Sequence, residues 1–117
     1  MRRRAVAVAA VLAAALRCAG AAEPASAATL PEGAALFGER CGLCHAAGGT
    51  GTFMLERRLG KERALLAERT DLTAEYVRQV VRHGLQSMPR FTRVELTDAE
   101  LSAVAAFLSS ARKTPAR

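Results

Sequence analysis

Cys41-Gly42-Leu43-Cys44-His45 is the run whose residue types and spacing suit bond-forming chemistry. Two thiols three residues apart lie on one side of a helical turn, and a histidine directly after the second can turn its ring toward the same space. The set matches a porphyrin: two vinyl groups on one edge accept two thioether bonds, and the imidazole takes an axial position on iron. C-x-x-C-H is accordingly an attachment pattern for haem c, and a single copy in the chain leads us to expect one haem. Three other uses of these residues compete. A redox disulfide between Cys41 and Cys44 asks for a βαβ surrounding, which the sequence does not offer. Zinc on Cys41, Cys44, His45 and His83 would have four donors, but adjacent Cys44 and His45 make tetrahedral closure awkward. A structural disulfide would close a very short loop and gain little chain entropy.

Haem iron has a second axial position, and the thioether or imidazole donors beyond the motif are Met54, Met88 and His83. Met54 is nine residues past His45, a short tether for reaching the far face of a macrocycle. Met88 is 43 residues on, within Gln86-Ser87-Met88-Pro89-Arg90-Phe91. Pro89 biases it to extended backbone and keeps its thioether out of a helix. Met88 is therefore the favoured second ligand. Met54 reads as packing and His83 as a last-turn residue favoured by the helix dipole; both stay open as ligands.

Helices must position these groups. Glu32 to Cys44 carries Ala35, Leu36, Phe37 and Cys41 at spacings that fit one helical face. His45 to Phe53 is glycine-rich and reads as a loop. Met54 to Glu68, interrupted at Gly60, reads as one or two short helical turns. Thr73 to His83 reads as a helix, with Thr73 as N-cap, an apolar face of Tyr76, Val77, Val80 and Val81, and Gly84 as its stop. Thr97 to Glu100 fits a capping box, and the helix it opens runs to about Ser110. No segment alternates like a strand, so the fold class is all-α, with three to five helices.

Met1-Arg2-Arg3-Arg4, the twelve apolar residues Ala5 to Leu16 and the small-residue site Ala25-Ser26-Ala27 make residues 1–27 a cleavable export leader. Arg17 before Cys18 argues against a lipid anchor, and twelve apolar residues are too few for a stable membrane span. The domain is then expected over 28–112, with a flexible tail over 113–117 and a periplasmic or otherwise exported location. The leader takes four arginines and Glu23 with it, lowering the formal charge from +6 to +3. The remaining cations are interleaved with acids and lack aromatic neighbours, which excludes a nucleic-acid binder. With aromatics at 4% and no Trp, the core is thin and needs a cofactor to fill it.

On these residues the chain resembles the small bacterial class I, mono-haem cytochromes c. The resemblance implies a cytochrome c fold wrapped around one covalent haem c, held by Cys41 and Cys44 and ligated by His45 and Met88. It aligns Gly33, Leu36-Phe37 and Met88-Pro89 with family positions and implies a contact of Phe107 with Gly33. Where the family usually has Gly-Pro, whose carbonyl accepts the axial histidine's N–H, this chain has Gly51-Thr52; a threonine carbonyl can accept the same bond from a looser loop. The implied function is one-electron transport, without enzymatic turnover, as a free carrier or as the cytochrome subunit of a dehydrogenase. Its redox partner proteins would be a dehydrogenase donor and an oxidase or other cytochrome acceptor; Arg57, Arg58, Arg90 and Arg93 either ring an exposed haem edge and dock an acidic partner or form a solvated face. A haem sensor or enzyme with a displaceable Met88, and a zinc or thiol-disulfide module, are the alternative classes. If haem completes the core, the apo chain should show no cooperative thermal transition by far-UV circular dichroism; a sharp transition in the apo chain would contradict this.

Overall fold

The computed structural model describes residues 29–110, so the leader expected over 1–27 lies outside the described residues, as does the tail over 113–117. Four helices follow one another, α1 (Leu30–His45), α2 (Thr50–Leu59), α3 (Ala74–His83) and α4 (Asp98–Ser110), with two 3₁₀ turns, Lys61–Arg63 and Leu66–Glu68, between α2 and α3. No strand occurs among the described residues. The one extended pairing is an isolated bridge between Leu85 and Met88.

Three of the four helices, α1, α3 and α4, begin where side-chain chemistry can satisfy the free amides of the first turn, whereas α2 starts at Gly49 with no side-chain cap. Thr29 caps α1 by accepting from the Glu32 amide at 3.4 Å, with Pro31 in the first turn, where its missing N–H costs nothing. Thr73 caps α3 through the Tyr76 amide at 3.1 Å. Thr97 and Glu100 form the reciprocal capping box of α4: the Glu100 amide donates to Thr97 Oγ1 at 3.2 Å, and the Thr97 amide donates to Glu100 Oε2 at 2.7 Å. Gly60 and Gly84 end α2 and α3 with φ of +89° and +76°, a region that disfavours a Cβ.

The stretch 45–53, expected to be a loop, is mostly helical. His45 closes α1, a four-residue turn follows, and α2 already includes Thr50 to Phe53. Gly48, with φ +81° and open space around it, supplies the left-handed turn residue, while Gly49 serves close approach: a Cβ on it would lie 2.4 Å from the Cys44 carbonyl oxygen. The chain can therefore reverse directly behind the motif.

α1 and α4 cross at Gly33, where an added Cβ would come within 2.2 Å of the Ala103 carbonyl oxygen and 2.9 Å of Phe107 Cβ. The expected Gly33–Phe107 contact is thus present. One turn further, the Phe37 and Phe107 rings pack with centroids 5.8 Å apart at 46°, a tilted arrangement suited to their quadrupoles. Around this crossing lies the core of Phe37, Leu72, Val77, Val81, Leu96, Leu101, Val104, Ala105 and Leu108, drawn mainly from α3 and α4. Arg69 and Arg63 both hold Asp71, tying the 3₁₀ segment to the entry of α3. No helix among the described residues is long and apolar enough to cross a membrane.

The crossing yields a paired prediction. Gly33→Ala must push backbone against backbone and should destabilise the holoprotein by about 1–3 kcal/mol. Gly38→Ala, with nothing within 4 Å of the new Cβ, should be neutral or stabilising by up to about 1 kcal/mol through helix propensity. Urea midpoints for the two variants decide; equal midpoints would remove the argument.

Candidate functional site

The Cys41–His45 motif occupies the last turn of α1, so its side chains are fixed by helical geometry rather than by a loop. An open cleft of about 970 Å³ lies beside it, walled by apolar side chains that include Phe37, Leu55, Leu72, Val77, Val80 and Leu108. A second opening continues outward past Leu43, Cys44, Pro89 and Phe91. Cys41, His45, Met54 and Met88 border both. Concave, mostly apolar space with a few convergent polar groups is the usual form of a cofactor site.

Cys41 is half-buried and Cys44 exposed, and both thiols are free. Burial, and the neighbouring Cys44, push the Cys41 thiol above its ordinary range. Burial lowers the His45 pKa, so the ring is neutral at pH 7 and has a lone pair to give to a metal. His45 Nδ1 is buried with no hydrogen-bond partner. It faces Gly51, where a Cβ would come within 3.0 Å of ring Cε1 and 3.1 Å of Nδ1. The α2 backbone thus presses on one side of the ring. The other nitrogen, Nε2, makes no hydrogen bond among the described residues, and the ring borders both openings.

The segment expected to be loose around Thr52 is pinned. Thr52 is the buried polar residue of the described chain, and its hydroxyl donates to the Ala46 carbonyl at 2.8 Å. The bond expected from the His45 ring to the Thr52 carbonyl is not formed. Thr52 has entered the first turn of α2, and the hydroxyl it carries in place of a proline ring closes the turn behind the motif.

Met88 sits in a tight turn after α3. Its amide donates to the Leu85 carbonyl at 3.0 Å and its carbonyl accepts from the Leu85 amide at 3.1 Å. Gln86 at the tip has φ +55°, and a Cβ on Gly84 would lie 2.8 Å from the Met88 carbonyl oxygen. Met54 also reaches the cleft: it is one turn beyond Gly51 on the helix that covers His45. His83 does not; it is exposed, with Nδ1 2.9 Å from the Gln79 carbonyl oxygen, and borders neither opening. A zinc site from Cys41, Cys44, His45 and His83 finds no support in this arrangement: no cluster of three or more His, Cys, Asp or Glu that could hold a metal ion occurs among the described residues.

The polar exceptions in the cleft wall are Arg58, Arg69, Tyr76 and Gln86; the sequence pointed to Arg58 at a haem edge and Tyr76 on the apolar face of α3, and gave no sign of Arg69 or Gln86. Arg58 reaches Gln86 across the opening, and Arg69, with its side chain 10% exposed, donates to Asp71 at 2.8 and 2.7 Å. Arg58 stays exposed at the rim, whereas Arg69, in charged, surface-like sequence, is covered only where the 3₁₀ turns meet α3. The residues present fit a haem: an apolar slot, two thiols, a neutral imidazole bordering the slot, and cations at the rim for its carboxylates.

Residues 28–108 match the family model described as "Cytochrome C oxidase, cbb3-type, subunit III". No curated protein matches the chain significantly, and no solved structure does.

Thr52 gives the prediction of this site. Thr52→Val loses the hydroxyl bond to Ala46 and should cost the holoprotein about 1 kcal/mol, while Thr52→Ser should keep most of that stability. Denaturant midpoints measure both, and a valine variant as stable as the parent would show that the bond is not needed.

Proposed function

The chain belongs to this cytochrome c family, whose members bind haem c and transfer electrons, and from that premise we propose that it is a periplasmic one-electron carrier or the cytochrome subunit of a dehydrogenase. The observation that carries the reading is the convergence of Cys41, His45 and Met88 on one apolar cleft, with Cys44 on its outer opening. Bound haem supplies a one-electron Fe(III)/Fe(II) couple. Cys41 and Cys44 anchor it through thioethers, which suits an exported protein that cannot recover a cofactor once lost. His45 would hold the iron through its neutral imidazole and Met88 through its thioether, a pairing that favours Fe(II) over bis-nitrogen ligation. A haem held by both would have no open site for a substrate. The apolar walls exclude water and so limit the reorganisation that accompanies a change of charge.

Redox partners would meet the side on which Cys44, Leu43 and Pro89 border the outer opening. Leu43 is 91% exposed there, and Arg40 borders the same opening. Arg58 stands on the cleft wall, whereas Arg57 lies over the Phe53 ring at 5.7 Å and borders neither opening. Arg93, grouped with these from sequence, is instead paired with Asp98 at the start of α4. An acidic partner surface suits this rim, where charges act mainly on association rate. The leader and the single C-x-x-C-H motif support export and one haem per chain.

The test is the visible spectrum of mature holoprotein with Met88→Ala and His83→Ala variants. The long-wavelength sulfur-to-iron band should be present in the parent, survive in His83→Ala and vanish in Met88→Ala. Attached haem without that band in the parent would replace the carrier reading with a sensor or enzyme whose iron is open.

A further inference from the structure

The segment between α3 and α4 that carries Met88 has little of its own to hold it. Among the described residues, positions 85–90 make the Leu85–Met88 pair and the Arg58–Gln86 contact and no other hydrogen bonds. The segment regains the body of the protein at Phe91, whose amide donates to the Val81 carbonyl at 2.8 Å. Arg82, the next residue along α3, completes that anchor. Its Nη1 donates to the carbonyls of Phe91 and Thr92, each at 3.1 Å, and its Nη2 donates to Asp98 Oδ1 at 2.7 Å. Asp98 is held in turn by Arg93 Nε at 2.7 Å. One guanidinium therefore joins α3, the end of the Met88 segment and the first turn of α4.

The chemistry favours a specific task over general glue. The Arg82 side chain is 16% exposed, and its Nε is buried without a partner, an arrangement that costs desolvation. Apolar packing would join two helices at least as well as a buried charge. What a guanidinium does better is meet two consecutive carbonyls and a carboxylate at once, because its planar fork presents several donors in fixed directions. The carbonyls it holds are three and four residues beyond Met88, while α3 fixes the other end of the segment at Gly84.

We propose that Arg82 is a positioning residue for Met88: by pinning the far end of the segment, it keeps the thioether at the iron without touching the haem. The inference rests on Met88 being an axial ligand. Breaking the clamp should enlarge the fraction of molecules in which Met88 has left, and the apparent affinity of a competing ligand rises in proportion to that fraction.

The experiment titrates ferric holoprotein with imidazole at fixed pH and follows loss of the sulfur-to-iron band. The proteins are the parent, Arg82→Met, Asp98→Asn and the control Leu101→Ala, which weakens the core from α4 and removes none of the clamp's hydrogen bonds. Arg82→Met should bind imidazole on the order of tenfold more tightly, the equivalent of one charged hydrogen bond. Asp98→Asn, a surface change that should fold even if Arg82→Met does not, should fall between parent and Arg82→Met. Leu101→Ala should melt earlier yet bind imidazole like the parent. Parent-like affinity in both clamp variants overturns the proposal, as does a rise in Leu101→Ala equal to theirs, since general loosening would then account for the effect. A parent without the band overturns the Met88 assignment itself and is distinguishable from either result.

Discussion

The backbones of α1 and α4 touch at Gly33, and the placement of the site depends on that contact. Helices whose facing residues carry side chains pack about 8–10 Å apart; the missing Cβ allows the Gly33 backbone to meet the Ala103 carbonyl directly. From there α1 runs to its last turn as a rigid rod carrying Cys41, Cys44 and His45. Phe37 and Phe107 set the rotation of that rod, since turning α1 about its axis would separate the rings. The face of α1 that carries the haem motif is thus fixed by packing one to three turns upstream.

The two sides of the cleft are built on different principles. On the histidine side the chain reverses within four residues and α2 closes directly over the ring. Steric exclusion does the work there: glycine at 49 and 51 where a Cβ would strike, and a threonine hydroxyl fastening the turn. On the methionine side the segment is longer and touches little, so its order comes from polar ties at its ends. The His45 imidazole is thus placed by steric contact and the Met88 thioether by a tethered loop.

Charge is arranged around this site in local clusters. Asp71 holds Arg63 and Arg69, Asp98 holds Arg82 and Arg93, and each carboxyl is kept below the ordinary carboxylate range by its arginine partners. These pairs are present above the ordinary carboxylate pKa and fade as acid protonates the aspartates. Both pin connecting segments rather than helix interiors, which suits a chain whose connections carry cleft-lining residues.

Local chemistry was legible in the sequence wherever it depends on neighbours in the chain. The haem motif, the Thr73 and Thr97 caps, the glycine stops at 60 and 84 and the apolar face of α3 all follow from residue type and spacing within one or two turns. The Gly33–Phe107 contact was legible too, but only through resemblance to a family, since nothing within ten residues of Gly33 announces its partner. The stretch 45–53 was not legible, because glycine signals a flexible turn and a close backbone approach in the same letters, and only the position of Cys44 and of the His45 ring shows which applies. The covering of Arg69, and the grip of Arg82 on the Met88 segment, were decided by tertiary structure alone. A charged side chain reads as solvated until another element brings it a carbonyl or carboxylate partner, and that partner is set by how helices pack.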